Sequence, residues 1–213
     1  MAPIMKELIF LLMLLMTGII KADYIPPTLN KLILRADIIL YGEVVCMDES
    51  VIELNVYNSI NHDSLTITIV RFKEWNCGQR WKEYELGDTS LFFLKSRNGR
   101  YRTIGGGNEG ELPIHNDRIY VHASTISQAG FVTQFDRSDL QMEDNGFNNP
   151  YNGYVINLSD FWQATAVVKK CFISEITATG NLINIQQLCS TTQFESTMKQ
   201  NKILNWVLTD LKK

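Results

Sequence analysis

The sequence predicts an α+β fold: a small β-barrel preceded by a short helix and followed by C-terminal helices. Three observations carry this expectation. From about residue 37 to 122 the chain consists of short apolar or alternating runs, "DIILYGEVVC", "LTITIVRFKEW", "TSLFFLK", "RYRTI" and "RIYVH", separated by the turn-forming clusters "RNGR", "LGD" and "HND". Apolar residues recur at helical spacing on both flanks of this region. Within "LTITIVRFKEW" the apolar phase passes from Ile67 and Ile69 to Val70 and Phe72, which a flat strand of period two cannot do. A bulge or strong bend is implied, and strands that bury first one face and then the other are what a small closed barrel requires.

The elements follow in order. "MAPIMKE", then the thirteen-residue apolar run "LIFLLMLLMTGII", then "KADY" read as a secretory leader. The run is shorter than the roughly 20 residues that a membrane-spanning helix needs, so no membrane span is expected after cleavage. Ala22 is a suitable small residue before the cut, which makes Asp23 the expected new N-terminus. No cysteine lies at the end of the run to take a lipid anchor. The product is expected in an extracytoplasmic compartment, secreted or periplasmic. The chain divides into the leader, 1–22; a helix plus barrel, 23–122; a loop-rich connection, 123–158; and a C-terminal helical element packed on the barrel, 159–213.

Before the first strand, "PPTLNKLILRAD" places Leu29, Leu32, Ile33 and Ala36 on one stripe, with Thr28 as N-cap after two prolines. After the Asn- and Gly-rich surface loop "EDNGFNNPYNGY", "SDFWQATAVVKKCF" aligns Phe161, Thr165, Val168 and Phe172, with Ser159 as candidate cap. The last helix is expected in "TQFESTMKQNKILNWVLTDLKK": Thr192 and Glu195 have capping-box spacing, Leu204, Val207, Leu208 and Leu211 form its apolar face, and Lys212 and Lys213 suit its negative end.

Without Lys6, Lys21 and Glu7 the remaining chain carries 18 basic and 22 acidic side chains. So mild a balance predicts no broad cationic surface and no nucleic-acid partner. The four cysteines, Cys46, Cys77, Cys171 and Cys189, all follow the leader, and an even number in an exported chain predicts two disulfides. Cys171 ends one helix and Cys189 precedes the capping box of the next, which predicts that they are bonded. Cys46 with Cys77 follows by elimination, although simple antiparallel neighbours would hold those two at opposite ends. No C-x-x-C is present to suggest zinc.

The runs "ADIILYGEVV", "ITIVRFKEW", "LGDTSLFFLK" and "GRYRTIGGGNEGELPI", in that order, resemble exported bacterial proteins with a netrin-like module, the OB-like barrel also found in tissue inhibitors of metalloproteinases. The resemblance spans roughly residues 28 to 122 and implies a netrin-like barrel that presents loops to a partner. It does not carry the inhibitory mechanism. Those inhibitors chelate a protease zinc through an N-terminal cysteine, whereas this chain is expected to begin at Asp23 and its first cysteine is Cys46.

Gly105, Gly107 and Gly110 in "IGGGNEGELPI" spell G-x-G-x-x-G. A dinucleotide fingerprint needs a helix after it, so that a helix N-terminus faces the pyrophosphate. Here "ELPIHNDRIYV" follows, Pro113 and the β-branched residues oppose a helix, and Glu109 and Glu111 would repel phosphate. The glycines are therefore expected to shape a turn, and no cofactor is expected.

His62, His115 and His122 lie apart, no H-E-x-x-H or G-x-S-x-G occurs, and Asp136, Asp139, Glu143 and Asp144 lack calcium-loop spacing. No metal or catalytic residue is assigned. In "RFKEWNCGQRWKEYELG", Glu74, Glu83 and Glu85 dilute the basic residues, so the aromatics Trp75 and Trp81 are the better partner contacts. The function expected is a non-enzymatic binding module with an extracytoplasmic protein or glycan as partner. The alternative is a hydrolytic or metal-dependent enzyme assembled from His115, His122 and a carboxylate.

Overall fold

The computed structural model describes residues 24–76, 78–122, 125, 141–143, 153–177, 182–190, 201 and 203. The leader, most of the expected last helix and Cys77 lie outside them. Within them the chain is α+β and contains a closed five-stranded barrel. Its strands are β1 (Ile38–Met47), β2 (Val51–Ile60), β3 (Thr66–Val70), β4 (Thr89–Arg97) and β5 (Arg100–Thr103). The hydrogen-bonded order is β1-β2-β3-β5-β4, and β4 returns to β1 to close the ring. All neighbours are antiparallel except β3 and β5, which run parallel with Ile69 beside Tyr101.

The irregularity that permits closure lies in β1. Its register with β2 shifts between Tyr41 and Gly42 and again between Val44 and Cys46. The phase change in "LTITIVRFKEW" has another cause: β3 ends at Val70 and the chain leaves the sheet. Strand β2 is not among the runs that the sequence pattern marks, although Ile52, Leu54 and Val56 alternate inward along it.

Two apolar clusters explain the run-on hydrophobicity of β1 and β4. Ile38, Leu40, Phe92 and Leu94 fill the barrel with residues of β2 and β3. Ile39, Leu91 and Phe93 point outward into a second core with the helices. A strand buried on both faces reads as continuous apolar sequence.

The outer core is covered by α1 (Leu29–Arg35) and α2 (Leu158–Cys171). Leu29, Leu32, Ile33 and Ala36 are all buried there, as are Phe161, Thr165 and Val168. Thr28 occupies the N-cap position of α1 without a side-chain cap bond. Helix α2 is capped by Asn157 and not by Ser159: the Asn157 carboxamide oxygen accepts from the backbone N–H of Ser159 and Asp160. The helices are also joined by charge. Lys169 Nζ donates to the carbonyls of Leu34 and Ala36, at 3.3 and 2.6 Å, and so supplies a cation to the C-terminus of α1. Burial lowers the pKa of that ammonium.

Beyond β4 the sheet continues through β6 (Glu111–His115), β7 (Arg118–Val121), β9 (Gly153–Asn157) and β8 (Gln141–Glu143). The connection 123–158 thus contributes two strands, and β9 begins inside the segment read as loop. β6 and β7 meet at a two-residue turn in which Asn116 and Asp117 both take positive φ, as a type I′ hairpin requires.

The C-terminal element is not wholly helical. Strands β10 (Phe172–Ile176) and β11 (Leu182–Gln187) form a separate hairpin. Cys171 and Cys189 are disulfide-bonded across it, with Cα atoms 4.9 Å apart. Closing a loop of that size stabilises by about 3 kcal/mol in the chain-entropy model. Cys46 is a free, exposed thiol, and Cys77, its expected partner, lies outside the described residues. Cys46 lies at the outer end of β1, beyond the bulge, where it faces Glu53 across the ladder. No helix among the described residues is long and apolar enough to cross a membrane.

Candidate functional site

The glycine segment is an excursion from a continuous strand edge. β5 and β6 lie end to end along the same side of β4. Ile104 N–H donates to the Phe93 carbonyl, and Phe93 N–H donates to that of Gly110, so the chain leaves β4 at one end of Phe93 and returns at the other. Residues 105–109 bulge out between. The two ends of the excursion touch: a Cβ on Gly110 would lie 1.8 Å from the Ile104 carbonyl oxygen. Gly107 has φ +87°, and a Cβ there would stand 2.7 Å from the carbonyl oxygen of Gln79. The glycines thus serve backbone geometry, and the segment leads into a strand.

The concavity that a phosphate would need is taken by the chain's own carboxylate. Glu109 is buried and accepts from Gly106 N–H at 2.8 Å and from the Tyr24 hydroxyl. Burial raises its pKa. Burial and the adjoining Glu109 raise that of the Tyr24 phenol.

Packed against this excursion is residues 71–88, the long connection from β3 to β4. Asn108 N–H donates to the Gln79 carbonyl at 2.8 Å. The connection has almost no regular secondary structure, yet it is tied down at many points. Arg80 forms a two-pronged ion pair with Glu111: Nε lies 3.0 Å from Oε2, and Nη2 donates to Oε1. The two side chains are only 7 % and 4 % exposed. Tyr84 donates its hydroxyl to Glu111 Oε2 at 3.0 Å, and its ring, part of the barrel core, lies 3.1 Å from the guanidinium carbon. Burial opposes the charge on Arg80, but Glu111 outweighs it, and the guanidinium pKa is raised. Burial and the Glu111 charge push the Tyr84 phenol up.

The two tryptophans assigned to partner contact divide here. Trp81 is half-buried; its Nε1–H donates to the Glu111 carbonyl at 2.9 Å and its ring meets His122 edge-on at 5.6 Å. It is a scaffold residue, held by the same strand as the ion pair. Trp75 stays 45 % exposed. Its backbone exchanges two 3.0 Å hydrogen bonds with Gly78, its ring rests edge-on against Tyr24 at 5.1 Å, and neighbouring Glu74 accepts from Arg80 N–H at 3.0 Å. An exposed indole therefore stands on a connection fixed from below by a buried ion pair. No local pattern marks Glu111 as an anchor: the partner that accompanies its burial, Arg80, is 31 positions away.

The histidines do not converge. His115 pairs with Arg118 at the turn of the β6–β7 hairpin, whereas His122 lies four residues further on, on the order of 13 Å along a strand. His115 is exposed and His122 half-buried, its imidazole pKa lowered by burial. His115 and Asp117 do share the rim of an open depression of about 790 Å³ with Tyr41, Tyr57, Lys82 and Asp88. There Lys82 is paired with Asp88 at 2.8 Å and Tyr57 donates to Glu43. Among the described residues no three His, Cys, Asp or Glu side chains are grouped to hold a metal. Asp136, Asp139 and Asp144 lie outside those residues. No protein-family model matches the chain, and no curated protein or solved structure is significantly similar to it.

Proposed function

We propose that this chain is an extracytoplasmic, non-enzymatic binding module: a netrin-like, OB-type barrel that presents the 71–88 connection to a protein or glycan partner through Trp75. The observation that carries the reading is the exposed indole on a preorganised support. Tryptophan dominates binding energy when it is held in place and loses little freedom on binding. The order β1-β2-β3-β5-β4-β1 with one parallel pair supports an OB-type barrel, a Greek-key architecture that uses its loops for recognition. The Cys171–Cys189 bond supports an oxidising compartment. The separation of His115 from His122 gives the enzymatic alternative no assembled site among the described residues.

The test is Trp75→Ala, compared with wild type for capture of ligands from a glycan array and from the secreted and envelope fractions. Loss of a binding anchor is expected to cost at least about 2 kcal/mol, roughly a 30-fold drop in affinity, with the melting temperature unchanged. Equal affinity in the variant would move the binding site elsewhere.

A further inference from the structure

We infer that the outer face of β5 and its two flanks form a second, independent binding surface for an acidic polysaccharide, one bearing sulfate or carboxylate groups. Along β5, Tyr101 turns toward the barrel core while Arg100 and Arg102 are exposed on the outside. The β4 register sets Lys95 opposite Arg102 and Arg97 opposite Arg100. Both cross-strand pairs are therefore like-charged, an arrangement that weakens a sheet. Lys95 is offset by Asp37 at 2.5 Å. Burial opposes ionisation of Asp37, but hydrogen bonds from Lys95 and Ser96 outweigh it and hold the carboxyl below its ordinary pKa. Arg97, Arg100 and Arg102 have no acidic partner among the described residues.

The surroundings extend the same charge, with Arg71 itself paired to Glu83 at 3.4 Å. On one side of Arg102 a depression of about 490 Å³ is lined by Arg71, Lys73 and Arg100; on the other, one of about 380 Å³ is lined by Arg35, Lys95 and Arg97. No aspartate or glutamate lines either of them, nor the depression between Arg97, Arg100 and Arg102. This segregation occurs in a chain of net charge −3.

The remaining chemistry selects the ligand class. Ser50 lines the first depression and Ser96 the second, which sets hydroxyl groups beside the guanidinium groups, whereas the Thr103 hydroxyl is buried. Arginine forks match sulfate and carboxylate oxygens two at a time. A single-stranded nucleic acid is bound by stacking its bases on aromatic platforms. On this face Tyr101 points inward and Phe72, which lines the first depression, is half-buried, so no fully exposed ring is offered for stacking. Cations, hydroxyls and no stacking surface fit a chain of acidic sugars.

The probes are dextran sulfate and polygalacturonate, with neutral dextran, a thymidine oligonucleotide of matched charge and phosphatidylglycerol vesicles as comparisons. Titration at low salt is expected to give binding to both acidic polysaccharides, none to neutral dextran and weaker binding to the oligonucleotide and vesicles. Arg100→Gln with Arg102→Gln should reduce affinity for both acidic polysaccharides by about tenfold or more. Arg97→Glu, which supplies Arg100 with an acidic neighbour, should weaken binding similarly and raise the melting temperature, so a folded variant carries the test. Trp75→Ala should leave this binding unchanged, which keeps its failure distinct from that of the loop reading. Undiminished affinity in the arginine variants, no binding of either acidic polysaccharide, or tighter binding of the oligonucleotide or vesicles would overturn the inference.

Discussion

Glu111→Ala is expected to destabilise the fold by about 3–5 kcal/mol, the range for removing one member of a buried ion pair. The cost comes from the partner left behind. Arg80 would keep a guanidinium only 7 % exposed, with no carboxylate to receive Nε and Nη2, and the Tyr84 hydroxyl would lose its acceptor in the barrel core. Against the roughly 5–15 kcal/mol that holds a domain together, that is a large fraction. Urea denaturation measures it directly. Replacing both partners at once, Arg80→Met with Glu111→Leu, should cost far less, because no charge is then stranded. A loss below about 1 kcal/mol for Glu111→Ala would mean that water already reaches the pair and that the connection is not fixed by it.

Gly110→Ala should be nearly as damaging, and for a reason that no side-chain adjustment relieves. The new methyl would lie 1.8 Å from the Ile104 carbonyl oxygen and 2.9 Å from its carbonyl carbon, both backbone atoms. Making room requires the ends of the excursion to part, which pulls against the two hydrogen bonds that Phe93 makes to Ile104 and Gly110. The expected loss is at or above the top of the roughly 1–3 kcal/mol range for overpacking, a fall in melting temperature on the order of 10 °C for a chain of this length. Thermal unfolding with and without NAD or ATP checks both halves of the argument. A nucleotide that raised the wild-type melting temperature would contradict a loop whose concavity is filled by Glu109.

Local pattern was enough to find some of this. Helix α1 was legible because Leu29, Leu32, Ile33 and Ala36 answer to a single period, and the Cys171–Cys189 bond because its partners flank one short segment. The glycine segment was legible as backbone geometry because Pro113 and a strand follow it. What escaped depends on partners distant in sequence. The apolar phase change points to a bulge or bend in β3, but the register shifts lie in β1, which must bend to pair with both β2 and β4. Strand β2 was missed because "NVYNS" carries polar residues that only an exposed barrel face explains. Asn157 displaced Ser159 as cap because β9 runs directly into α2, which fixes the helix start by the sheet. Glu109 and Glu111 entered only as charges that would repel phosphate, because Tyr24 and Arg80, the partners that accompany their burial, belong to other segments. Net charge hid the basic face for a related reason: a sum over the chain does not register that Arg97, Arg100 and Arg102 share one side of two neighbouring strands.

Amide hydrogen exchange across residues 72–86 tests most directly the claim that the Trp75 connection is a preformed binding surface. The N–H groups of Trp75, Gly78 and Arg80 all donate to acceptors within the connection, and Arg80 is tied to β6. They are expected to exchange at least about 100-fold more slowly than an unstructured peptide, opening with a free energy closer to that of the barrel strands than to that of a loose loop. Exchange of these amides at free-peptide rates, while β1 and β4 stay protected, would contradict the account.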